Sequence, residues 1–196
     1  MITLYRALVL PILEYCCQLW HPVVLGDVRK IEAVQRTFTS RITGMRQLSY
    51  WDRLKQLKLY SLERRRERYL IIYVWKIIRG LVPNFEEAGS IKLQTESGRR
   101  GKLCEIPRRI PGSAQRVETL RENSLVVLGP RLFNCLPRDA RDWEGSLETF
   151  KEKVDTFLTT VPDKPTLPHY YQSAATNSII HQLEQLRAAR GVHNPV

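Results

Sequence analysis

Residues 61–79, SLERRRERYLIIYVWKIIR, constrain the fold of this 196-residue chain more than any other segment. Ser61 is a favourable N-cap, and Gly80 and Pro83 close the far end, so the segment reads as one long helix running to about Arg79. Its two halves differ chemically. The first carries Glu63, Arg64, Arg65, Arg66, Glu67 and Arg68; the second carries Tyr69, Leu70, Ile71, Ile72, Tyr73, Val74, Trp75, Ile77 and Ile78. A half that is apolar all round must be enclosed by other elements. The charged half is expected to stay solvated and to present a basic end to a partner.

The flanking segments supply helices to enclose it. Residues 3–20 are apolar on nearly every side, with a kink or break expected at Pro11 and an end at His21-Pro22. A first element of this kind needs neighbours, which suggests further structure upstream. In residues 27–43, Val28, Ile31, Val34 (or Gln35), Phe38 and Ile42 share one helical face, with Asp27 as cap and Gly44 as stop. Ser49 followed by Asp52 forms a capping-box pattern ahead of a short helix through Leu54 and Leu57. Residues 81–116 are broken by Gly and Pro and are expected to form loops and short strands. Ser124–Leu128 reads as a strand or buried turn ended by Gly129-Pro130. Residues 146–160 are amphipathic with Ser146 as cap, residues 161–176 form a Pro-containing linker, and 177–190 form a weak last helix. The expected organisation is mainly α: a helical region over 1–80, an irregular α+β region over 81–160, and a linker with a helix over 161–196.

Charge narrows the partners. Lys and Arg number 31 against 20 Asp and Glu, a net +11. Residues 29–79 hold 14 basic and 4 acidic side chains, and residues 92–116 hold 7 and 2, so the excess is concentrated in two blocks. Such blocks favour polyanions. The candidate phosphate contacts are Arg29, Lys30, Arg36 and Arg41, which fall away from the apolar stripe of 27–43, then Arg64, Arg65, Arg66 and Arg68, and Arg99, Arg100 and Lys102. Arg offers a permanent charge and a planar fork to phosphate. The plainer alternatives are a solvated helix face, with Glu63 and Glu67 pairing locally, and a flexible loop. Tyr50, Trp51 and Tyr69 are available for stacking on bases, whereas Tyr73 and Trp75 belong to the core.

Several chemistries lack their residues. The 6 Asp (Asp27, Asp52, Asp139, Asp142, Asp155 and Asp163) are never adjacent, so no carboxylate pair for two-metal catalysis is apparent. Neither a phosphate-binding Gly loop nor a nucleophile elbow occurs. Cys17 and His21 stand one helical turn apart, but Cys104 and Cys135 each stand alone, so a buried thiol beside a helix-ending histidine is the simpler reading than zinc. No catalytic or metal-binding residue is assigned. No secretory signal or membrane span is visible, and free thiols fit a reducing, intracellular compartment.

The stretches LYRALVLPILEYCCQLWHP (4–22), DVRKIEAVQRTFTSRITG (27–44), LSYWDRLKQLKLYSLERRRER (48–68), LGPRLFNCLPRDAR (128–141) and SLETFKEKVDTFL (146–158) together resemble the region after the palm in non-LTR, LINE-type retrotransposon reverse transcriptases of jockey-like character. The resemblance implies that the first two helices belong to a thumb-like bundle gripping template–primer, and that the rest is a C-terminal extension. It implies RNA, DNA or their hybrid as partner, fingers and palm upstream, and nuclear residence if functional. The parent family is an RNA-directed DNA polymerase using Mg2+ at the palm. The palm's Tyr-x-Asp-Asp motif has no counterpart here, so no polymerase activity is expected of this chain alone. A truncated copy, a partial gene product or a host-retained remnant would each give such a sequence. The alternative reading is a protein-interaction module, or an unstable remnant, without nucleic-acid function.

Overall fold

The structure, a computed structural model, describes residues 1–22, 24–84, 90–94, 101–164, 177–189 and 191. The described residues are mainly helical. In chain order the elements are α1 (Ile2–Leu4), a π-helical turn (Tyr5–Val9), α2 (Leu10–Glu14), α3 (Cys17–Trp20), α4 (Leu25–Ser40), α5 (Tyr50–Leu57), α6 (Leu62–Ile78), α7 (Gln115–Glu122), α8 (Leu125–Asn134), α9 (Arg138–Arg141), α10 (Leu147–Thr159) and α11 (Ile179–Ala189).

The long helix predicted over 61–79 is α6, and it runs through the whole arrangement. Ser61 caps it by accepting a hydrogen bond from the Arg64 N–H at 3.1 Å. Its second half is enclosed as expected, with Leu70, Ile71 and Val74 fully buried and Trp75 nearly so. The largest core cluster joins this half to α8, α10 and α11 through Leu132, Phe133, Phe150, Val154 and Ile179. The Trp75 ring stacks on Phe150 with centroids 4.8 Å apart, and its indole N–H donates to the Trp143 carbonyl at 3.1 Å. This core draws on residues from both sides of residue 80. Two smaller clusters, around Tyr5 and Leu62 and around Tyr50 and Leu54, seat the N-terminal helices on the front of α6.

Three expectations are corrected. Residues 124–128 are neither strand nor turn: they open α8, and Gly129 and Pro130 lie inside that helix. Pro130 stands in the middle of α8 and removes one intrahelical N–H donor, a cost that the packing of α8 in the main core offsets. Gly129 has a packing role, because a Cβ there would lie 2.7 Å from Val74 Cγ2. The helix period was masked by two residues that normally break helices, one of which allows close approach to α6. Secondly, the α+β character expected of the C-terminal region reduces, among the described residues, to one isolated bridge between Leu93 and Cys104. The Asn134 side chain takes the place of a neighbouring strand there, bonding the Cys104 N–H at 2.8 Å and its carbonyl at 2.9 Å. Thirdly, the N-terminal segment is not one enclosed helix. Pro11 sits in the first turn of α2, and the π-helical turn before it absorbs the mismatch through the Leu10 N–H bond to the Tyr5 carbonyl. The break falls instead at Cys16, which adopts the left-handed conformation at φ 51°.

The caps were more legible. Ser49 and Ser146 accept from the N–H groups of Asp52 and Thr149. Asp27, expected as a cap, lies in the first turn of α4 after the N-cap Val24, where its charge still suits the helix dipole. Of the two candidates for the α4 stripe, Gln35 is buried and Val34 is exposed.

Replacing Gly129 by Ala is expected to destabilise the fold by about 1–3 kcal/mol through overpacking between α6 and α8. Urea unfolding followed by circular dichroism measures this; an unchanged midpoint would contradict the close approach.

Candidate nucleic-acid interface

The cations named from sequence go to three kinds of place. Arg64 and Arg66, expected on an exposed basic end, are fully buried, so that expectation is corrected. Arg64 donates to the Val161 carbonyl at 3.2 Å and the Pro162 carbonyl at 2.8 Å. The Arg66 guanidinium has no hydrogen-bond acceptor among the described residues, and its charge acts on Glu32, Cys17 and His21. Arg65 is held by Glu14, and Arg68 makes a two-pronged pair with Asp155 at 2.5 and 2.7 Å. The solvated end inferred from the run of charges is therefore a packed turn, because segments distant in sequence fold over it and supply its acceptors.

Glu63 and Glu67 reach beyond α6. Glu67 accepts from the Ser178 hydroxyl at 2.5 Å and the Ile179 N–H at 2.8 Å, and Glu63 accepts from the Asn177 N–H at 3.3 Å. Both carboxylates thus serve the start of α11. Of the remaining candidates, Arg29 and Arg36 are half-buried, and Arg36 lies 4.7 Å from the Tyr50 ring centroid. Lys30 is exposed but bonded to Asp27 at 3.0 Å. Lys102 pairs with Glu144. Arg41 is exposed and makes no ion pair among the described residues. Arg99 and Arg100 lie outside the described residues.

A cleft with lysines free of ion pairs among the described residues comes from positions not singled out in the sequence. A cleft of about 930 Å³ runs between α5 and the end of α10, with Lys55, Lys58 and Lys164 on it and Trp51 and Tyr60 in its wall. All three lysines are exposed, and none forms an ion pair among the described residues. Three aspartates share the lining with the three lysines, and one of them, Asp155, has a cationic partner. Asp52 accepts from the Ser49 hydroxyl, Asp155 holds Arg68, and Asp163 accepts from the Ser61 N–H and hydroxyl and from Asn177, each at 2.7 Å. Arg68 cancels one of those charges, so the buried arginine row shapes the cleft without lining it. Arg46, also exposed, stands on the turn leading to α5. Of the three lysines, only Lys55 lies on α5; Lys58 follows it and Lys164 stands past α10, so no local pattern in the sequence joins them.

Away from this cleft, burial shifts several titratable groups. Burial pushes the thiols of Cys17 and Cys135 up to about 11 and that of Cys104 to about 12, so they are protonated and unreactive at neutral pH. Burial lowers His21 to about 4, leaving it neutral. Among the described residues no group of three or more His, Cys, Asp or Glu side chains could hold a metal ion.

The arrangement is a helical, aromatic-walled cleft whose lining carries three lysines and three aspartates. No family model, no curated protein and no solved structure matches the chain. No described helix is long and apolar enough to cross a membrane.

Two measurements test this description. Arg64→Ala is expected to destabilise the protein by about 2–3 kcal/mol, because two carbonyls lose a charged donor, whereas Lys55→Ala or Lys58→Ala should stay within about 0.5 kcal/mol; denaturant titration of each variant decides. The second concerns pH. Burial raises Glu32 and Glu67 from 4.5 to about 7, outweighing the hydrogen bonds each accepts. The folded state then binds their protons more tightly than the unfolded chain, so this contribution is fully present below about pH 4.5 and lost as pH rises through about 7. His21 acts in the opposite sense between about 6.5 and about 4. With two groups against one, stability is expected to decline from about pH 5 to about pH 8, and Glu67→Gln should flatten the decline. A melting temperature with the same pH profile in both proteins would refute the assignment.

Proposed function

We propose that this chain is a non-catalytic piece of a non-LTR retrotransposon reverse transcriptase, from beyond the palm, that binds RNA–DNA template–primer through the Lys55–Lys58–Lys164 cleft. The observation that carries the reading is that cleft: among the described residues its three lysines form no ion pair and stand beside Trp51 and Tyr60, while of its three aspartates Asp155 is matched by Arg68. The sequence resemblance along residues 4–158 and the mainly helical architecture support the same assignment to a thumb-like region and extension.

The role is grip without chemistry. Lysine side chains track phosphates as point charges and carry no base information, so binding is expected to be insensitive to sequence. Trp51 offers a face on which a base can stack at the cleft wall. Synthesis would belong to the palm and its metal-holding carboxylates in the parent polyprotein. Nuclear residence follows if the chain acts at a chromosomal target.

Fluorescence anisotropy with a labelled RNA–DNA hybrid, repeated over a range of salt concentrations, tests the reading. If three to five cations touch phosphate, log K should fall with log salt at a slope of about −2 to −4.5, and joint replacement of Lys55, Lys58 and Lys164 by Ala should reduce its magnitude by about 2–3. A slope near zero, an unchanged slope in the triple variant, or primer extension by the purified chain alone would each overturn part of the proposal.

A further inference from the structure

On the reading that the lysine cleft holds nucleic acid, which is the premise here, its dimensions narrow the partner to one form. The volume of about 930 Å³ lies within the range of roughly 300–1,000 Å³ for pockets that enclose a small molecule. A cube of 930 Å³ has an edge of about 10 Å, less than the roughly 12 Å width of a major groove alone. A duplex can therefore lie across the mouth but cannot enter. The space between α5 and the end of α10 suits a nucleotide or two of unpaired strand.

The mixed lining points the same way. Three aspartates alternate with the three lysines, and Arg68 matches only Asp155. Asp52 is exposed and lies one helical turn before Lys55 on α5. A duplex across the mouth brings an unbroken row of phosphates, one charge per about 1.7 Å of axis, and so sets phosphates against Asp52 as well as against the lysines. A short unpaired stretch can place a phosphate at a lysine and turn the N–H edge of its base to a carboxylate. That edge is occupied inside a duplex and open in a single strand. Asp52 accepts from the Ser49 hydroxyl, and an ionised carboxylate has about four lone-pair sites, so it retains capacity for a further donor. The aromatic wall completes the set. Trp51 and Tyr60 line the cleft, and the Trp51 ring is steadied by Tyr50, with centroids 5.0 Å apart. A base stacks on such a side chain once it has left its own helical stack. We propose that the cleft takes the unpaired strand, whether free or as the single-stranded extension of a template–primer, with a base against Trp51 and its phosphates at Lys55, Lys58 and Lys164. The paired part of a hybrid stays outside.

Fluorescence anisotropy on the full chain compares three labelled probes: an oligouridylate of about ten nucleotides, within the usual range of single-strand site sizes, a blunt RNA–DNA hybrid, and the same hybrid with an unpaired RNA extension. The single strand and the extended hybrid are expected to bind about tenfold or more tighter than the blunt one. Trp51→Ala should weaken binding to the two unpaired probes by about 5- to 100-fold, toward the blunt value, and Trp51→Phe should restore most of it. The salt slope should be unchanged in Trp51→Ala, since the lysines still meet phosphates; a collapsed cleft would lose slope and affinity together. A fluorescent adenine analogue in the extension should be quenched on binding to the wild type and much less so with Trp51→Ala. Equal affinity for blunt and extended hybrids, or an analogue whose emission ignores binding, would overturn the single-strand preference and leave the phosphate-binding reading standing. Absence of binding to every probe at low salt would overturn that reading as well.

Discussion

The start of α6 is the point on which the rest of the structure depends. A helix leaves its first N–H groups without intrahelical partners, and here that end is enclosed, so water is not available to all of them. The Glu32 carboxylate of α4 accepts from the Leu62 N–H at 2.9 Å and the Glu63 N–H at 3.3 Å, and also from the Tyr50 hydroxyl. Ser61 serves the Arg64 N–H, and Asp163, from beyond α10, fixes Ser61 in turn. Gln35 extends the network to the Tyr5 hydroxyl at 3.1 Å, the Tyr50 hydroxyl at 3.0 Å and the Tyr60 carbonyl at 3.0 Å. Four distant parts of the chain thus meet at one helix end through directional bonds, which fix their relative placement as apolar contact alone would not.

The same device recurs one helix further on. Glu63 and Glu67 leave the first turns of α6 to serve the start of α11, so each helix end is completed by a carboxylate from an earlier helix. The arginines between them are drawn into the same packing. Arg64 reaches the carbonyls after α10, Arg65 reaches the N-terminal segment and Arg68 reaches α10. A run that looks like a binding surface acts as a set of ties, and the exposed charge available to a partner moves to isolated lysines on α5 and after α10. The basic excess of the chain and the location of its basic surface are therefore separate matters. The first is a property of composition, the second of which cations find acceptors inside.

The N-terminal segment shows the complementary effect for apolar residues. Its composition reads as a buried helix, yet only Tyr5, Leu10 and Cys17 within it are buried, because α4 and α6 cover one side and no described element covers the other. Periodicity identified the apolar character but could not count the sides available to enclose it.

By itself the sequence determined the helical class, the three serine caps, the limits of α6 and the enclosure of its apolar half. Each of these follows from interactions within a turn or two of helix or from one helical period, which local residue order specifies. It also determined the net positive charge and the absence of adjacent aspartates. Only the tertiary structure decided that Gly129-Pro130 lies within a helix, that Arg64 and Arg66 are buried while Lys55, Lys58 and Lys164 gather on one cleft, and that no described element covers one side of residues 1–19. Those outcomes rest on acceptors and surfaces some 30 to 110 positions away, such as Glu32 for Leu62 and Glu67 for Ile179, and no local pattern specifies which distant group arrives.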